Sequence, residues 1–458
     1  MPANGNLPET GAALPDPPDS GMFSAGASTQ RKVSLRLLPV IAVGYCMALI
    51  DRVNISFASL QMNRDLHFSA TMYGFGAGLF FVGYALFEVP SNLLLLRFGA
   101  RRWLARIMLT WGALAAGMMF VRTPLEFYVM RFLLGVAEAG FFPGIIYYLT
   151  LWFPARVRAR AVSRFYIALP LASTVMGVLA GWLLGLGGKL GLAGWQWLFL
   201  IEGIPSVLFS AVVWGMLPDG PAHAKWLNAD EKAWLKRTLD AESASAHLGH
   251  SAGVLRALRS QHVWMFGLYF FGVLTCNYGF TFSAPAILQS ATGWSVSTVG
   301  YVVAALGLAG AAAMLLGAAH SDRTGERALH CIVPCCFVGA GYLAASYARE
   351  PWVVVTSLAV SFIAYHVVQG PAFAVLTGFM TGRAAAAGIA AMNSFGILSG
   401  FVGPYWMGVM KDATGDYRAG LRGLVISALV AAGTMWVLTR SLDRKRAMVL
   451  GRLGEESA

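Results

Sequence analysis

Leu37-Leu38-Pro39-Val40 opens an apolar run, and inside that run lies Asp51-Arg52-Val53-Asn54. The run is long enough to cross a bilayer, which takes about 20 residues of helix. A carboxylate or guanidinium at membrane depth costs about 2.5–3.5 kcal/mol on insertion scales, so such a pair marks a functional site by default. A second pair, Arg131 and Glu138, sits in a later apolar run with Gly135 between them. Together the two clusters are expected to bind a carboxylate-bearing solute and a proton.

The composition agrees with a membrane setting. Of 458 residues, 57% are hydrophobic and 12% charged, against about 25% charged in a soluble domain. Mean hydropathy is +0.61, and the 52 glycines suit membrane helices, where Gly is frequent. Cys46, Cys276, Cys331, Cys335 and Cys336 lie mostly in apolar runs without paired ligand spacing, so neither a disulfide nor a metal site is expected. No nucleophile–base pair, HExxH-type site or phosphate-binding glycine loop occurs, which argues against an enzyme.

Residues 1–30 are rich in Pro, Gly and Ala and read as a disordered tail. Apolar segments then recur near 37–60, 72–96, 103–121, 126–150, 162–186 and 196–217, and again near 262–288, 296–319, 329–347, 352–378, 385–410 and 420–439. The expected fold is an all-α integral membrane protein with 12 transmembrane helices in two six-helix bundles. Its parts are an N-terminal bundle over 31–217, a connector over 218–260, a C-terminal bundle over 261–440 and a tail over 441–458. With the N-terminus inside, 25 of the 34 Lys and Arg fall on inner segments and 7 on outer loops, leaving Arg52 and Arg131 within helices. This asymmetry puts both termini in the cytoplasm. It also accounts for the net charge of +12 without a nucleic-acid partner.

Arg97-Phe98-Gly99-Ala100-Arg101 and Arg323-Thr324-Gly325-Glu326-Arg327 share Arg-x-Gly-x-Arg at an offset of 226 residues. Each follows the second helix of its half. Duplicated halves of this kind characterise secondary transporters.

Six plus six helices, the long connector and this loop motif resemble the major facilitator superfamily. Asp51-Arg52-Val53-Asn54-Ile55-Ser56, Pro90-Ser91-Asn92, the Gly135–Gly144 stretch with Glu138 and Pro143, the Trp197–Pro205 stretch with Glu202 and Gly203, and the Ala387–Ser394 stretch with Asn393 are similar to its anion:cation symporter family. That resemblance implies proton-driven uptake of an organic anion such as a sugar acid, tartrate, a phthalate or another aromatic acid. It implies no cofactor beyond the coupling proton, a monomer, and a bacterial cytoplasmic (inner) membrane. Carried over by motif, Asp51 and Glu138 would be protonatable, Arg52 and Arg131 would handle carboxylate charge, and Tyr84 and Asn393 would contact substrate. Two departures stand out. Leu96 replaces the acid of the superfamily loop, while Asp322 keeps it in the second copy. Phe373 stands where relatives often carry Trp, with Gln369 and His366 just before it, which points towards an aromatic or dicarboxylic acid.

Arg131, Gly135 and Glu138 fall at i, i+4 and i+7 and so share one helical stripe. An arginine fork matches a carboxylate bidentately. With no substrate bound, Arg131 needs a counter-charge from Glu138 or Asp51; a static ion pair fixing helix one to helix four is the structural alternative. Glu88 and Glu202 read as structural acids pairing with basic loops. Asn277 and Tyr278 interrupt an apolar stretch, where a broken helix lining a cavity is expected. Tyr45 offers a hydroxyl, and His366 is a further polar candidate. Against proton-coupled symport stand an anion exchanger or efflux pump of the same fold and a non-transporting solute sensor.

Overall fold

In the computed structural model, residues 20–154, 157–158, 161–162, 168–246, 259–379 and 392–456 are described. Among them the chain is helical, without strands. The N-terminal half comprises α1 (Ser20–Asp65), α2 (Ala70–Phe98), α3 (Ala100–Gly117), α4 (Pro124–Glu138), α5 (Phe141–Thr150), α6 (Ala168–Leu184) and α7 (Gly194–Met216). After α8 (Ala229–Ala246) in the connector come α9 (Gln261–Thr292), α10 (Val296–Thr324), α11 (Leu329–Tyr347), α12 (Pro351–Phe379), α13 (Ser399–Thr414) and α14 (Arg418–Glu456). Among the described residues ten helical spans are long and apolar enough to cross a membrane, α4 and α5 counting as one. The remaining two expected segments, 162–186 and 385–410, correspond to α6 and α13, and parts of both segments, with Ala387 among them, lie outside the described residues.

Three expectations are corrected. Helix α1 begins at Ser20, so residues 20–30 are helical where an irregular tail was expected. The fourth span is not continuous: Gly140 adopts φ +83°, ending α4 at Glu138 and restarting the helix at Phe141. A Cβ on Gly140 would also meet Ser91 Oγ at 2.4 Å. Conversely, α9 runs unbroken through Asn277 and Tyr278.

The connector is anchored to the N-terminal bundle. Lys32 donates to Glu231 at 2.9 and 3.1 Å, the Arg36 guanidinium lies over Trp226, and Trp226 stacks on Trp152. Slight burial would raise the Glu231 carboxyl, but the Asn228 N–H and the Lys32 ammonium outweigh it and hold it below its ordinary value. Both Arg-x-Gly-x-Arg loops turn at a glycine of positive φ, in different conformations: Gly99 at φ 87°, ψ 149° and Gly325 at φ 70°, ψ −4°. Their acids have different sources. Asp322 accepts from Arg327 at 2.5 Å within the second loop. In the first, Asp219 of the connector takes the place left by Leu96, accepting from the Arg101 backbone N–H at 3.0 Å.

The halves meet tightly at the face opposite these basic loops. There Gly74 and Gly78 of α2 sit against the backbone of α13 around Pro404 and Phe401, and Gly177 of α6 meets Gly300 of α10. Asp412 of α13 accepts from the backbone N–H groups of Ala70 and Thr71 at 3.1 and 2.7 Å, capping α2 from the other half. Small residues let membrane helices approach to backbone contact. A Cβ on Gly74 would meet Pro404 O at 2.3 Å, so Gly74→Leu should part α2 from α13 at this face. The expected result is a several-fold slower disulfide between Thr71→Cys and Asp412→Cys in the Gly74→Leu background than in the parent; an unchanged rate would refute the seam.

Candidate functional site

Asp51 and Arg52 of α1 meet Arg131 and Glu138 of α4, with Arg52 pairing to Glu138 across the two helices. On α4, Arg131 and Glu138 lie on the stripe that faces α2, and Gly135 between them would place a Cβ 2.0 Å from Phe80 O. That close approach seals the stripe: Arg131 is 0% and Glu138 1% exposed. Glu138 ends α4 at the Gly140 break, where it accepts from Arg52 Nη2 of α1. Asp51 is buried and accepts from Asn54 Nδ2 at 3.2 Å.

Arg131 is differently placed from Arg52. Its nearest hydrogen bond is a long one, 3.4 Å from Nη2 to Ala77 O, and its Nε and Nη1 have no hydrogen-bond partner among the described residues. Asp51 is its main charge neighbour, without an ion pair in contact. The Phe80 ring lies near both guanidiniums, 5.3 Å from Arg52 and 5.0 Å from Arg131. Of the two expected counter-charges, Glu138 is therefore taken by Arg52, while Asp51 faces Arg131 at longer range. Oδ2 of Asp51 and Oε2 of Glu138 likewise lack partners among the described residues.

A cavity of about 200 Å³ lies between the halves beside this cluster. Helix α1 contributes Tyr45, Leu49, Arg52, Ser56 and Phe57; α9 contributes Asn277, Tyr278 and Thr281; α12 contributes Phe362, Tyr365 and His366; and Ser173 and Met176 come from α6. The Tyr278 hydroxyl lies beside Arg52, bringing the C-terminal half to the charged cluster. A larger hollow of about 1060 Å³ at the basic face, between α5 and α8, is lined by charges of both signs. Arg158 is already paired there with Glu242 at 3.5 Å. It lies away from the membrane-depth charges and lacks a converging set of one sign.

Of the residues singled out in sequence, Tyr45, Arg52, Asn277, Tyr278 and His366 line the cavity. Tyr84 supports Arg52 from beneath, its ring 5.2 Å from the guanidinium. Asp51, Arg131 and Glu138 are packed behind the wall. Gln369 sits beside Tyr365. The backbone of Phe373 belongs to α12, and its side chain lies outside the described residues. Asn393, in the helical stretch 392–397, does not line the cavity but donates to Glu88 Oε1 at 3.4 Å across the two halves. Glu88 is thereby paired with an amide rather than with loop arginines. Glu202 is buried beside Asn54, and neither of its carboxylate oxygens has a donor in hydrogen-bonding geometry among the described residues. Sequence reading missed Ser173, Phe362 and Tyr365; a tyrosine directly before His366 in an apolar segment was the signal available for the last.

Residues 41–404 match the sequence model of the Major Facilitator Superfamily. The chain belongs to this superfamily. It is 45% identical over 415 residues to a protein of Agrobacterium vitis provisionally named a tartrate transporter, covering 91% of this chain and 92% of that one. It is 38% identical over 423 residues to a quinolone resistance transporter of Acinetobacter baumannii, covering 91% and 96%. Among solved structures, a bacterial homologue of the human lysosomal transporter Spinster, inward-facing and unoccupied, superposes with a TM-score of 0.75 at 18% identity, over 90% of this chain and 97% of that one. The fold and the transporter class follow: a multi-pass membrane protein that moves small molecules, not an enzyme.

Because Arg52 is only 17% exposed, removing its partner strands a cation at membrane depth. Breaking a buried pair typically costs about 3–5 kcal/mol. Glu138→Ala should lower the melting temperature of the detergent-solubilised protein more than Arg52→Ala plus Glu138→Ala together does. Additive losses in this double-mutant cycle would show that the pair carries no coupling.

Proposed function

We propose that this transporter is a proton-coupled symporter importing a small organic carboxylate by alternating access, in a bacterial inner membrane with both termini and the basic loops cytoplasmic. The observation that carries the reading is the placement of one cavity-lining guanidinium, Arg52, already engaged by a buried carboxylate, Glu138. The tartrate label on the Agrobacterium relative is consistent with that chemistry and makes tartrate a first substrate to try.

The coupling follows from charge balance. Asp51 and Glu138 against Arg52 and Arg131 sum to zero when all four are ionised. A substrate carboxylate reaching Arg52 competes with Glu138 for the same guanidinium. Binding then adds one negative charge per substrate carboxylate in a low dielectric, and protons taken up by Glu138 and Asp51, one for a monoacid and two for a diacid, restore neutrality. Arg131 has no place on the cavity wall, so its role is to set the field that holds Asp51 rather than to touch substrate. Tyr45 and Asn277 orient the solute from the two walls, and Tyr84 steadies Arg52. Gln369, Phe373 and Asn393 act from the second half, Asn393 by releasing Glu88 as the halves part. With the basic loops cytoplasmic, the tight seam at the opposite face supports reading this arrangement as inward-facing.

Export is the second reading, favoured by the name of the Acinetobacter relative. Both are separated by uptake of labelled L-tartrate, phthalate and a sugar acid into proteoliposomes with and without an inward proton gradient. Gradient-driven accumulation of at least one acid, reduced at least tenfold in Arg52→Ala and uncoupled from the gradient in Glu138→Gln, is the expected outcome. Gradient-independent exchange would replace symport by antiport, and binding without flux would indicate a sensor.

A further inference from the structure

The cavity wall opposite Arg52 holds a group for which the charge-balance argument has no use. His366 of α12 lies at the cavity, its ring 4.5 Å from that of Phe362 at 47° and 5.1 Å from that of Tyr365 at 89°. Nδ1 lies 2.8 Å from the Phe362 carbonyl oxygen. A carbonyl oxygen can only accept, so Nδ1 carries the hydrogen and the lone pair belongs to Nε2. The ring is also fixed in orientation. A Cβ on Gly310 of α10 would meet Cγ, Nδ1 and Cε1 at 2.9–3.1 Å, so that side packs on α10 and the Cδ2–Nε2 edge is left for the cavity. Among the described residues no donor hydrogen-bonds to Nε2.

A positioned lone pair in an otherwise largely aromatic wall recognises a donor. A carboxylate has none, whereas an alcohol or phenol does. The cavity thus offers a cation to the acid group from α1 and an acceptor to a second substituent from α12. We propose that His366 Nε2 is a specificity-determining acceptor for a substrate hydroxyl, which makes the transported anion a small hydroxy acid. The inference rests on the reading of this cavity as the substrate site, and it adds the hydroxyl to the carboxylate already assigned there. A site built around a hydroxyl rejects the analogue that lacks it, because its own polar group is left unpaired.

L-Tartrate and succinate differ only in two hydroxyls and serve as the probes. Their binding is measured calorimetrically on the purified full-length protein in detergent, which separates recognition from flux. The wild type is expected to prefer L-tartrate by at least roughly tenfold. His366→Phe, which keeps a ring and removes the acceptor, should weaken L-tartrate by roughly five- to tenfold, on the scale of one neutral hydrogen bond, and leave succinate within twofold. His366→Gln, which restores an acceptor oxygen near the Nε2 position, should recover part of the preference and covers the case in which His366→Phe does not fold. Equal binding of the two acids by wild type, no measurable L-tartrate binding, or parallel losses for both acids in the variants would each overturn the assignment. A retained tartrate preference in a protein that shows no gradient-driven uptake would refute the symport reading while leaving His366 as the hydroxyl reader.

Discussion

Charge in a low-dielectric medium must be compensated locally, and the Arg52–Glu138 pair is where this chain meets that constraint. The pair requires α1 and α4 to meet at one depth, with α2 close enough to exclude water. Gly135 on α4 provides the approach to the Phe80 backbone, and Gly83 on α2 does the same for Phe132. The Gly140 break then ends α4 at Glu138. All four charges of the cluster belong to the N-terminal half. The C-terminal half answers with neutral groups, Asn277, Tyr278, Tyr365 and His366. The duplication visible in the basic loops therefore does not extend to the site, where one half supplies charge and the other shape and hydrogen bonds.

Much of this was legible in sequence because membrane depth imposes length and polarity on every segment. Long apolar runs, basic loops and the Arg-x-Gly-x-Arg repeat located the helices and their ends. The break at Gly140 was not legible, since a glycine is compatible with a continuous helix and with a positive φ alike. The expected break at Asn277 failed for the converse reason: an amide with a cavity to face needs no interruption of α9 to be satisfied. The helical start at Ser20 reflects docking on the connector, where Gly26 accommodates Trp234. That is a tertiary contact, and composition carries no trace of it.

For the site, the i, i+4, i+7 spacing correctly placed Arg131 and Glu138 on one buried stripe. It could not say which guanidinium Glu138 would take, because that depends on where α1 crosses. Asn393 and Glu88 are separated by 305 residues, and Asp219 reaches Arg101 across 118. Pairings of that range are set by the fold, not by local pattern. The Asp219 contact shows how the missing acid at Leu96 is made good from elsewhere: the loop keeps its carboxylate, supplied by the connector.

The two faces of the interface between the halves are held unequally. Opposite the basic loops, the Asp412 carboxylate accepts from α2 and the Tyr73 hydroxyl donates to Phe282 O, and close packing adds to these bonds. Glycines there bring backbones into contact along two helix pairs, α2 with α13 and α6 with α10, so dispersion accumulates over many atoms. Towards the basic face, the described hydrogen bond between the halves is Asn393 to Glu88 at 3.4 Å, a contact of the kind worth about 1 kcal/mol net. A transporter must open each face in turn, so the glycine seam is the costlier to part. A ligand can shift that balance only through its differential affinity for the two arrangements. Tyr278 beside Arg52 ties the second half to the charge pair itself. A solute that draws Arg52 away from Glu138 therefore acts on the contact joining the halves, and in the proposed symport that displacement links proton uptake to which face is closed.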